Sequence, residues 1–510
     1  MFVSLNIDKQ LMRYFVAFIL ILLSMGSYAS QHSQGNPTPI PVTPIVTSQP
    51  TAVPITPLFT STRTPTPSLT FTPTASPTPT LTPTPTQPLW TLTPARPANI
   101  PTFQHVPASF SANDGWSCGD FPCEDDIAGF LQRIQVPSGY VLSHVGRFPG
   151  QPMQIAYDAD GRLYGTVITD PVARTGAVYR LMENGEAQQV SPIFVSPVGL
   201  AFQPGTDVLY VSGRVSLEQG GAIWRVEEDG QTSVVVGDLP CCFQIIDNQP
   251  NGMVFGSDGL LYIGVGSLSD HAEPINPATE RNRELVPLEA SILRINPHTG
   301  EVSVYAEGIR NPYDVTFDSQ GQLYATDNGL LSGAGDRVLQ VDSGGHYGWP
   351  YWRGRGCEEC PLPTRAIDIQ PDWVRFPDYT LPRGIVAYTG NQFPPNVFDS
   401  IFVALWHNTP NAQRIVRIDP ATVPTDPELL RTYEPEPFVT GLIRPVDVVV
   451  APDGGLVIAD FVYGHVWRVD FAGLEAVGPL PAGFSPVTAE ATEAVQPAES
   501  SIFVTSTPRP

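Results

Sequence analysis

Lysine is almost absent from this sequence: Lys9 is the only one among 510 residues, and every later basic residue is arginine. A lysine Schiff base, a phosphate-loop lysine and a lysine general base are therefore excluded from the rest of the chain. Acidic residues outnumber basic ones by 50 to 27, which gives a net charge of −23. Because affinity for phosphates needs clustered Lys and Arg, the sequence predicts no nucleic-acid partner.

Long hydrophobic runs are also absent after the N-terminal segment, so the sequence predicts no transmembrane domain beyond that segment. At the start of the chain, Lys9 and Arg13 precede an apolar run from Tyr14 to Met25, and small residues follow up to Ala29. This pattern is typical of a signal peptide over residues 1–29 and predicts a secreted or cell-surface protein. The alternative is an uncleaved anchor, although the run is shorter than the roughly 20 residues that cross a bilayer.

The segment 30–107 is rich in Pro and Thr, and it contains no acidic residue from position 36 onward. Too little apolar surface is present there to offset chain entropy, so we predict a disordered stalk. A glycosylated stalk and a plain linker both fit this composition. Residues 108–137 form a lead-in with one cysteine pair, and residues 473–510 are predicted to be a disordered tail.

The cysteines are few, six in all, and they lie in three close pairs. An even number in an exported chain indicates disulfides. A Cys-x-x-Cys pair can also be half of a zinc site, but no second such pair or spaced histidine pair accompanies it. The connectivity stays open, and the simplest arrangement is local pairing of Cys118 with Cys123 and of Cys357 with Cys360.

One pattern recurs between residues 138 and 472: a proline, a short apolar strand, an Asp/Gly turn and a second strand. Full copies begin at Pro152, Pro197, Pro250, Pro312 and Pro445. In each copy a tyrosine or valine of the second strand follows the proline, at a distance of 12, 13, 12, 12 and 12 residues. A sixth, looser copy covers residues 384–405. Short strands repeating at this spacing predict an all-β fold, a six-bladed β-propeller over residues 138–472.

Two long loops are expected to wall the mouth of such a ring. One loop covers residues 266–290 and carries Asp270, His271 and Glu273, and the other covers residues 344–383. Binding groups in propellers lie where the inter-strand loops are longest. We therefore expect the functional site at this mouth.

Three segments in the second half of the chain carry a family resemblance: GIRNPYDVTF from Gly308, LYATDNG from Leu323 and GGHYGWPYW from Gly344. They resemble the soluble quinoprotein glucose/sorbosone dehydrogenases. The resemblance implies a six-bladed propeller that binds pyrroloquinoline quinone (PQQ) with calcium. It also implies that a sugar or related alcohol is oxidised and that electrons pass to an external acceptor.

The resemblance assigns cofactor-binding roles to five residues: Arg310, Asn311, Asn328, His407 and Arg444. Arg310 matches the arginine that pairs with quinone oxygens, and Arg444 matches one that lines the cofactor pocket. His407 lies near the position of a lysine that binds cofactor carboxylates in some members.

Calcium ligands are implied by the same resemblance. Gly329 and Leu330 fall where the family offers backbone carbonyls to the ion. Asp336 belongs to a position where the family has an acid pair. Here that pair reads Asp336-Arg337, so a calcium ion at this place would lose one carboxylate.

The expected catalytic histidine is replaced. Its position holds Asn248, beside Asp247, and an asparagine does not accept a proton near neutral pH. Asp247 is the candidate substitute, provided that burial raises its pKa.

These departures leave two functions open. The first is an exported sugar oxidoreductase, and the second is a non-catalytic surface propeller that binds carbohydrate or protein. A lactonase-type hydrolase is a more distant third possibility, since no carboxylate metal cluster is evident among the repeats.

Overall fold

A computed structural model of the chain describes residue 118 and the ranges 121–217, 220–241, 249–273, 285–353, 357–363 and 366–473. All of these residues belong to one compact unit, Trp90–Pro510. The predicted signal peptide, stalk and tail lie outside the described residues. No helix in the described ranges is both long enough and apolar enough to cross a membrane.

Four-stranded antiparallel sheets arranged in sequence order form the fold. Blade 1 contains β2 (Gln151–Tyr157), β3 (Leu163–Asp170), β4 (Thr175–Leu181) and β5 (Ala187–Gln189). Blade 2 contains β7 (Leu200–Phe202), β8 (Leu209–Arg214), β9 (Gly221–Val226) and β10 (Thr232–Leu239), and the short β6 (Phe194–Val195) joins it to blade 1. Blade 3 contains β11 (Pro250–Phe255), β12 (Leu261–Val265), β13 (Ser291–Ile295) and β14 (Val302–Glu307).

The remaining blades follow the same order from the inner to the outer strand. Blade 4 contains β15 (Pro312–Phe317), β16 (Leu323–Asp327), β17 (Arg337–Val341) and β18 (Val374–Arg375). Blade 5 contains β19 (Pro382–Ala387), β20 (Ile401–Leu405), β21 (Arg414–Ile418) and β22 (Glu436–Thr440). Blade 6 contains β23 (Pro445–Val450), β24 (Leu456–Asp460) and β25 (His465–Phe471). The predicted six-bladed propeller is confirmed.

The ring is closed by the first strand of the propeller. Strand β1 (Tyr140–Arg147) pairs antiparallel with β25 as the outermost strand of blade 6, so the last blade contains strands from both ends of the fold. At one point in this pairing, His144 Nε2 lies 3.1 Å from His465 Nδ1. The six repeats did not indicate this exchange.

Helices are few in the described residues. They are α1 (Ile127–Arg133), the 3₁₀ helix Pro395–Val397 and α2 (Pro427–Leu430). Helix α1 follows the disulfide Cys118–Cys123, and Arg133 at its end donates through Nε to the carbonyl of Gly441, 2.8 Å away. The lead-in segment is thereby fastened to the connection between blades 5 and 6.

The repeated Asp/Gly turn joins the inner two strands of blades 1 and 4 into hairpins. In blade 1, Asp158 Oδ1 accepts from the backbone amides of Asp160 (3.1 Å) and Arg162 (2.8 Å). Gly161 then adopts a φ of 78°, a conformation that side chains disfavour. Asp318 and Gly321 repeat the same arrangement in blade 4.

Candidate functional site

One face of the ring brings together the segments that the sequence singled out. In blades 3 to 6 the start of the inner strand pairs with the end of the second strand, as Pro312 does with Asp327. Side chains link these ends from blade to blade: Asn251 Nδ2 donates to Pro312 O (3.0 Å), and Thr326 Oγ1 donates to Arg383 O (2.7 Å). We call this face the mouth.

Arg310 lies at the mouth of blade 4, where its guanidinium is held by other parts of the protein. Its Nη2 donates to Asp270 Oδ1 at 2.6 Å, its Nε to Asp270 O at 3.1 Å, and its Nη1 to Asn328 O at 3.1 Å. The side chain is 3% exposed. Burial lowers the pKa of Arg310, and the charge of Asp270 opposes that shift. The positive charge of Arg310 is thus neutralised by a carboxylate of blade 3.

The loop that carries Asp270 is fixed in this position. Asp270 Oδ1 also accepts from the amide of Leu331, 2.9 Å away. Beneath it, a small apolar cluster joins the two long loops and contains Ala272, Ala290, Leu330, Trp349, Trp352 and the disulfide Cys357–Cys360. The two loops therefore pack against each other at the mouth, and both local disulfides predicted from the sequence are formed.

Asn311 and Asn328 flank Arg310. Asn311 Oδ1 accepts from Asn251 Nδ2 at 2.8 Å, and the amide of Asn328 donates to Asn311 O at 3.1 Å. Asn328 is buried, and its Oδ1 has no hydrogen-bond partner among the described residues. Asn328 therefore offers an unused acceptor next to Arg310.

The residues expected to hold calcium are engaged in backbone hydrogen bonds. Asp336 Oδ1 accepts from the amide of Gly329 (2.9 Å), and Oδ2 accepts from the amides of Thr380 (2.8 Å) and Leu381 (2.9 Å). The carbonyl of Leu330 accepts from Gly333 N at 2.8 Å. In the described ranges no group of three or more His, Cys, Asp or Glu side chains is placed to hold a metal ion. The contacts of Asp336 are those of a loop anchor.

A second group of basic residues lies at the mouth of blades 5 and 6, around Trp406. The guanidinium carbons of Arg383 and Arg444 each lie 4.3 Å from the centroid of this ring. Arg383 also lies 4.5 Å from the ring centroid of Tyr313 and donates to its hydroxyl at 2.9 Å. Burial and the charge of Arg383 lower the pKa of Arg444. No described residue forms an ion pair or a side-chain hydrogen bond with the guanidinium of Arg444.

His407 completes this group, which we call the Trp406 cluster: Tyr313, Arg383, Trp406, His407 and Arg444. The ring of His407 lies 5.7 Å from that of Tyr379. Burial, followed by the charge of Arg444, lowers the pKa of His407, so the imidazole is neutral at pH 7. Its Nδ1 is buried without a hydrogen-bond partner among the described residues.

Buried polar atoms without partners are concentrated at the mouth. Within the described ranges these atoms include Asn251 Oδ1, Ser269 Oγ, Asn328 Oδ1, Trp406 Nε1 and His407 Nδ1. Folded proteins leave few such atoms unsatisfied, and each one needs a ligand, an ion or a water molecule. The mouth therefore presents buried donors and acceptors that a polar ligand, an ion or water would satisfy.

The two predicted catalytic residues, Asp247 and Asn248, lie outside the described residues. The next residue, Gln249, is fully buried, and its Nε2 donates to Ser196 O at 3.0 Å. Its Oε1 accepts from Arg214 Nε. Gln249 directly precedes β11, the inner strand of blade 3.

Three residues of the site were missed in the sequence: Asp270 as the partner of Arg310, and Arg383 and Trp406 beside Arg444. A signal for Arg383 exists, since it follows the proline that begins the inner strand of the loosest repeat. For Asp270 and Trp406 the sequence carries no comparable signal, because their roles depend on contacts between blades.

The chain resembles known proteins in three ways: part of it matches a family model, one relative is similar in sequence, and solved structures are similar in fold. Residues 244–462 match the family model "Glucose / Sorbosone dehydrogenase". An uncharacterized protein of Borreliella burgdorferi is 24% identical over 361 residues, which are 66% of this chain and 90% of that protein.

Two of the solved structures that the chain resembles are sugar dehydrogenases. A glucose dehydrogenase has a TM-score of 0.50 at 16% identity and covers 65% of this chain and 98% of its own. The PQQ-bound aldose sugar dehydrogenase of Streptomyces coelicolor has a TM-score of 0.48 at 18% identity, covering 66% of this chain and 99% of its own. At 16% identity, the structure with the TM-score of 0.50 supports the fold alone. The match over residues 244–462 confirms the resemblance to the glucose/sorbosone dehydrogenases that the sequence motifs indicate.

Proposed function

We propose that this protein is an exported oxidoreductase that binds PQQ at the mouth and oxidises a sugar or a related alcohol. Electrons would then pass to an external acceptor. The family match over residues 244–462 supports the reaction class. The Trp406 cluster supports the binding of an anionic cofactor.

The observation that carries the proposal is the guanidinium of Arg444 at the mouth, which has no ion-pair or side-chain hydrogen-bond partner among the described residues, although the charge of Asp460 acts on it. Stacking on Trp406 occupies the face of the guanidinium and leaves its N–H edge available. That edge suits the bidentate recognition of a carboxylate. PQQ carries several carboxylates, so an anion of this kind suits both the guanidinium edge of Arg444 and the buried atoms without partners nearby.

The residues of the chain have separate tasks in this proposal. Arg444 and Arg383 attract the carboxylates, and the neutral ring of His407 supplies a hydrogen bond through Nδ1. Asn328 Oδ1 accepts a hydrogen bond from the cofactor or from the substrate hydroxyl. When bound, PQQ supplies the two-electron acceptor that no side chain provides.

Proton removal from the substrate is assigned to the segment before β11. Asn248, at the position of the family's histidine, hydrogen-bonds the substrate, and Asp247 accepts the proton. Asp336 accepts hydrogen bonds from three backbone amides, and its role as a calcium ligand stays a prediction. Calcium binding through the carbonyls of Gly329 and Leu330 stays a prediction.

A second function is favoured by one specific observation, the pairing of Arg310 with Asp270. Arg310 is the residue expected to contact quinone oxygens, and its guanidinium is already paired with Asp270. The mouth would then serve as a binding surface without redox chemistry. In this alternative the protein is a surface propeller that binds an acidic carbohydrate or a protein through the Trp406 cluster.

The test is a titration of the purified full chain with PQQ in the presence of calcium, followed by the quinone absorbance. Aldoses and a dye acceptor are then added. The matched variants are Arg444→Gln, at the proposed site, and Arg431→Gln, whose side chain is 64% exposed on blade 5.

We expect saturable binding and dye reduction in the wild type and in Arg431→Gln, and much weaker binding in Arg444→Gln. Binding without dye reduction would favour the second function. No binding in any variant would overturn the proposal.

A further inference from the structure

The centre of the ring contains a buried network that none of the mouth residues uses. It is built at the third position of each repeat, two residues after the proline. These six positions are Gln154, Gly199, Gly252, Asp314, Gly384 and Asp447. Three of them carry polar side chains and three carry none.

Gln154 of blade 1 connects three other blades. Its Oε1 accepts from the amide of Leu200 in blade 2 at 2.7 Å and from that of Met253 in blade 3 at 3.3 Å. Its Nε2 donates to Asp314 Oδ1 of blade 4 at 2.8 Å. One side chain thus joins four inner strands.

The two carboxylates extend the network to the remaining blades. Asp314 Oδ2 accepts from the amide of Ile385 in blade 5 at 3.0 Å. Asp447 of blade 6 accepts from the amide of Ile155 in blade 1 at 2.6 Å through Oδ2, and from Val448 N at 2.8 Å through Oδ1. All six inner strands are therefore tied together at the axis of the ring.

The glycines make room for these carboxylates. A Cβ atom on Gly252 would collide with Asp314 Oδ1, and one on Gly384 would collide with Asp447 Oδ1. Asp314 is 3% exposed and Asp447 is 1% exposed. The two acids are thus enclosed at the centre with no access to bulk water.

No described residue forms an ion pair with either acid. The inner strands β2, β7 and β11 carry no charged residue, and β15, β19 and β23 carry only Asp314, Arg383 and Asp447. Arg383 directs its guanidinium to Tyr313 and Trp406 at the mouth. Two carboxylates without a cationic partner at close quarters do not both ionise in a buried site.

We infer that Asp314 and Asp447 together retain a proton at neutral pH and that this proton fastens the six blades at the axis. Burial raises the pKa of Asp314 to about 7. Burial and the charge of Asp314 raise that of Asp447 well above its ordinary value. The pair titrates as a unit, so the proton belongs to both acids.

The consequence is a loss of stability as the pH rises. In the unfolded chain both acids are ionised above their ordinary pKa of 3.8, whereas the folded ring keeps a proton. Each retained proton raises the unfolding equilibrium constant about tenfold per pH unit. This contribution is fully present below about pH 4 and declines as the pH rises through about 7.

The test compares the full chain with the double variant Asp314→Asn, Asp447→Asn in urea unfolding between pH 5 and pH 9. The amide of asparagine replaces the protonated acid, so the inference predicts that the variant lacks this pH dependence. Relative to the variant, the wild-type unfolding constant should rise about tenfold per pH unit below pH 7. A constant ratio across this range would overturn the inference.

Infrared spectroscopy gives a second readout that is independent of stability. The wild type at pH 7 should show the carbonyl stretch of a buried protonated carboxylic acid, and the double variant should lack it. The single variant Asp314→Asn should show a weaker band, because the charge of Asp314 no longer raises the pKa of Asp447, and it serves if the double variant does not fold. Absence of the band from the wild type would contradict the inference.

The matched control is Asp158→Asn. Asp158 is 6% exposed, and its side chain accepts from backbone amides and pairs with Arg162. Its removal should lower stability by a similar factor at every pH from 6 to 9 and should leave the infrared band intact. A control that altered the band would show that the band arises elsewhere.

Discussion

The two sides of the mouth differ in whether their charged groups are available. On the blade 4 side, Arg310 is enclosed and paired with Asp270 at 2.6 Å. On the side of blades 5 and 6, Arg444 stacks on Trp406 and has no ion-pair partner among the described residues. The side with the strongest sequence resemblance, around residues 308–352, is thus the side whose arginine is already occupied.

A sequence motif does not show whether its arginine holds loops together or binds a ligand, and this difference between the two sides does. The arginine of an Arg-Asn-Pro segment can serve to hold loops together, as Arg310 does for the loop that carries Asp270. A charge that is free to bind a ligand is recognised only from its surroundings. We therefore place ligand binding with the Trp406 cluster and loop anchoring with Arg310.

The largest expected effect concerns stability on the blade 4 side. Replacing Arg310 by Met should lower the free energy of unfolding by about 3 kcal/mol, because Asp270 loses the partner of a buried ion pair. The value lies at the lower end for such pairs because Asp270 remains 18% exposed. Urea unfolding at pH 7 measures the loss, and a change within about 0.5 kcal/mol, typical of surface substitutions, would show that the pair is not a loop anchor.

Arg444→Gln should behave in the opposite way. Its stacking on Trp406 contributes about 0.5–1 kcal/mol, so the loss of stability should stay near that value. Its affinity for PQQ should fall roughly tenfold to a hundredfold, since a hydrogen bond to a charged group contributes about 1.5–3 kcal/mol. Calorimetric titration gives the affinity, and equal effects of Arg310→Met and Arg444→Gln on binding would erase the distinction between the two sides.

The smallest expected effect is a shift in the titration of His407. The charge of Arg444 disfavours the imidazolium, so Arg444→Gln should raise the pKa of His407 towards its ordinary value of 6.5. Proton NMR of the histidine ring follows this shift. The variant Arg310→Met should leave the titration unchanged. A shift produced by Arg310→Met alone would place His407 on the wrong side of the mouth.

Much of the fold could be predicted from the sequence because each blade repeats its own local signals. The prolines at 250, 312 and 445 begin inner strands, and the Asp/Gly turns form hairpins at Asp158 and Asp318. Ring closure by β1 was not predictable, since its partner β25 lies more than 300 residues away and β1 precedes the first repeat.

The site was predictable in part. The family motifs located Arg310, Asn328, His407 and Arg444 at the mouth of the ring. They did not show that Arg310 is paired with Asp270, 40 residues earlier in the chain, because that contact joins two different blades. The axial network was missed for the same reason, although its glycines and acids occupy one position of every repeat.

Hydrogen–deuterium exchange of the full chain with and without PQQ tests the central claim most directly. The account predicts that PQQ protects amides around residues 379–407 and 441–445, on the side of blades 5 and 6. Little change is expected around residues 308–331, where Arg310 is already paired. Protection confined to residues 308–331 would contradict the account and would return ligand binding to Arg310.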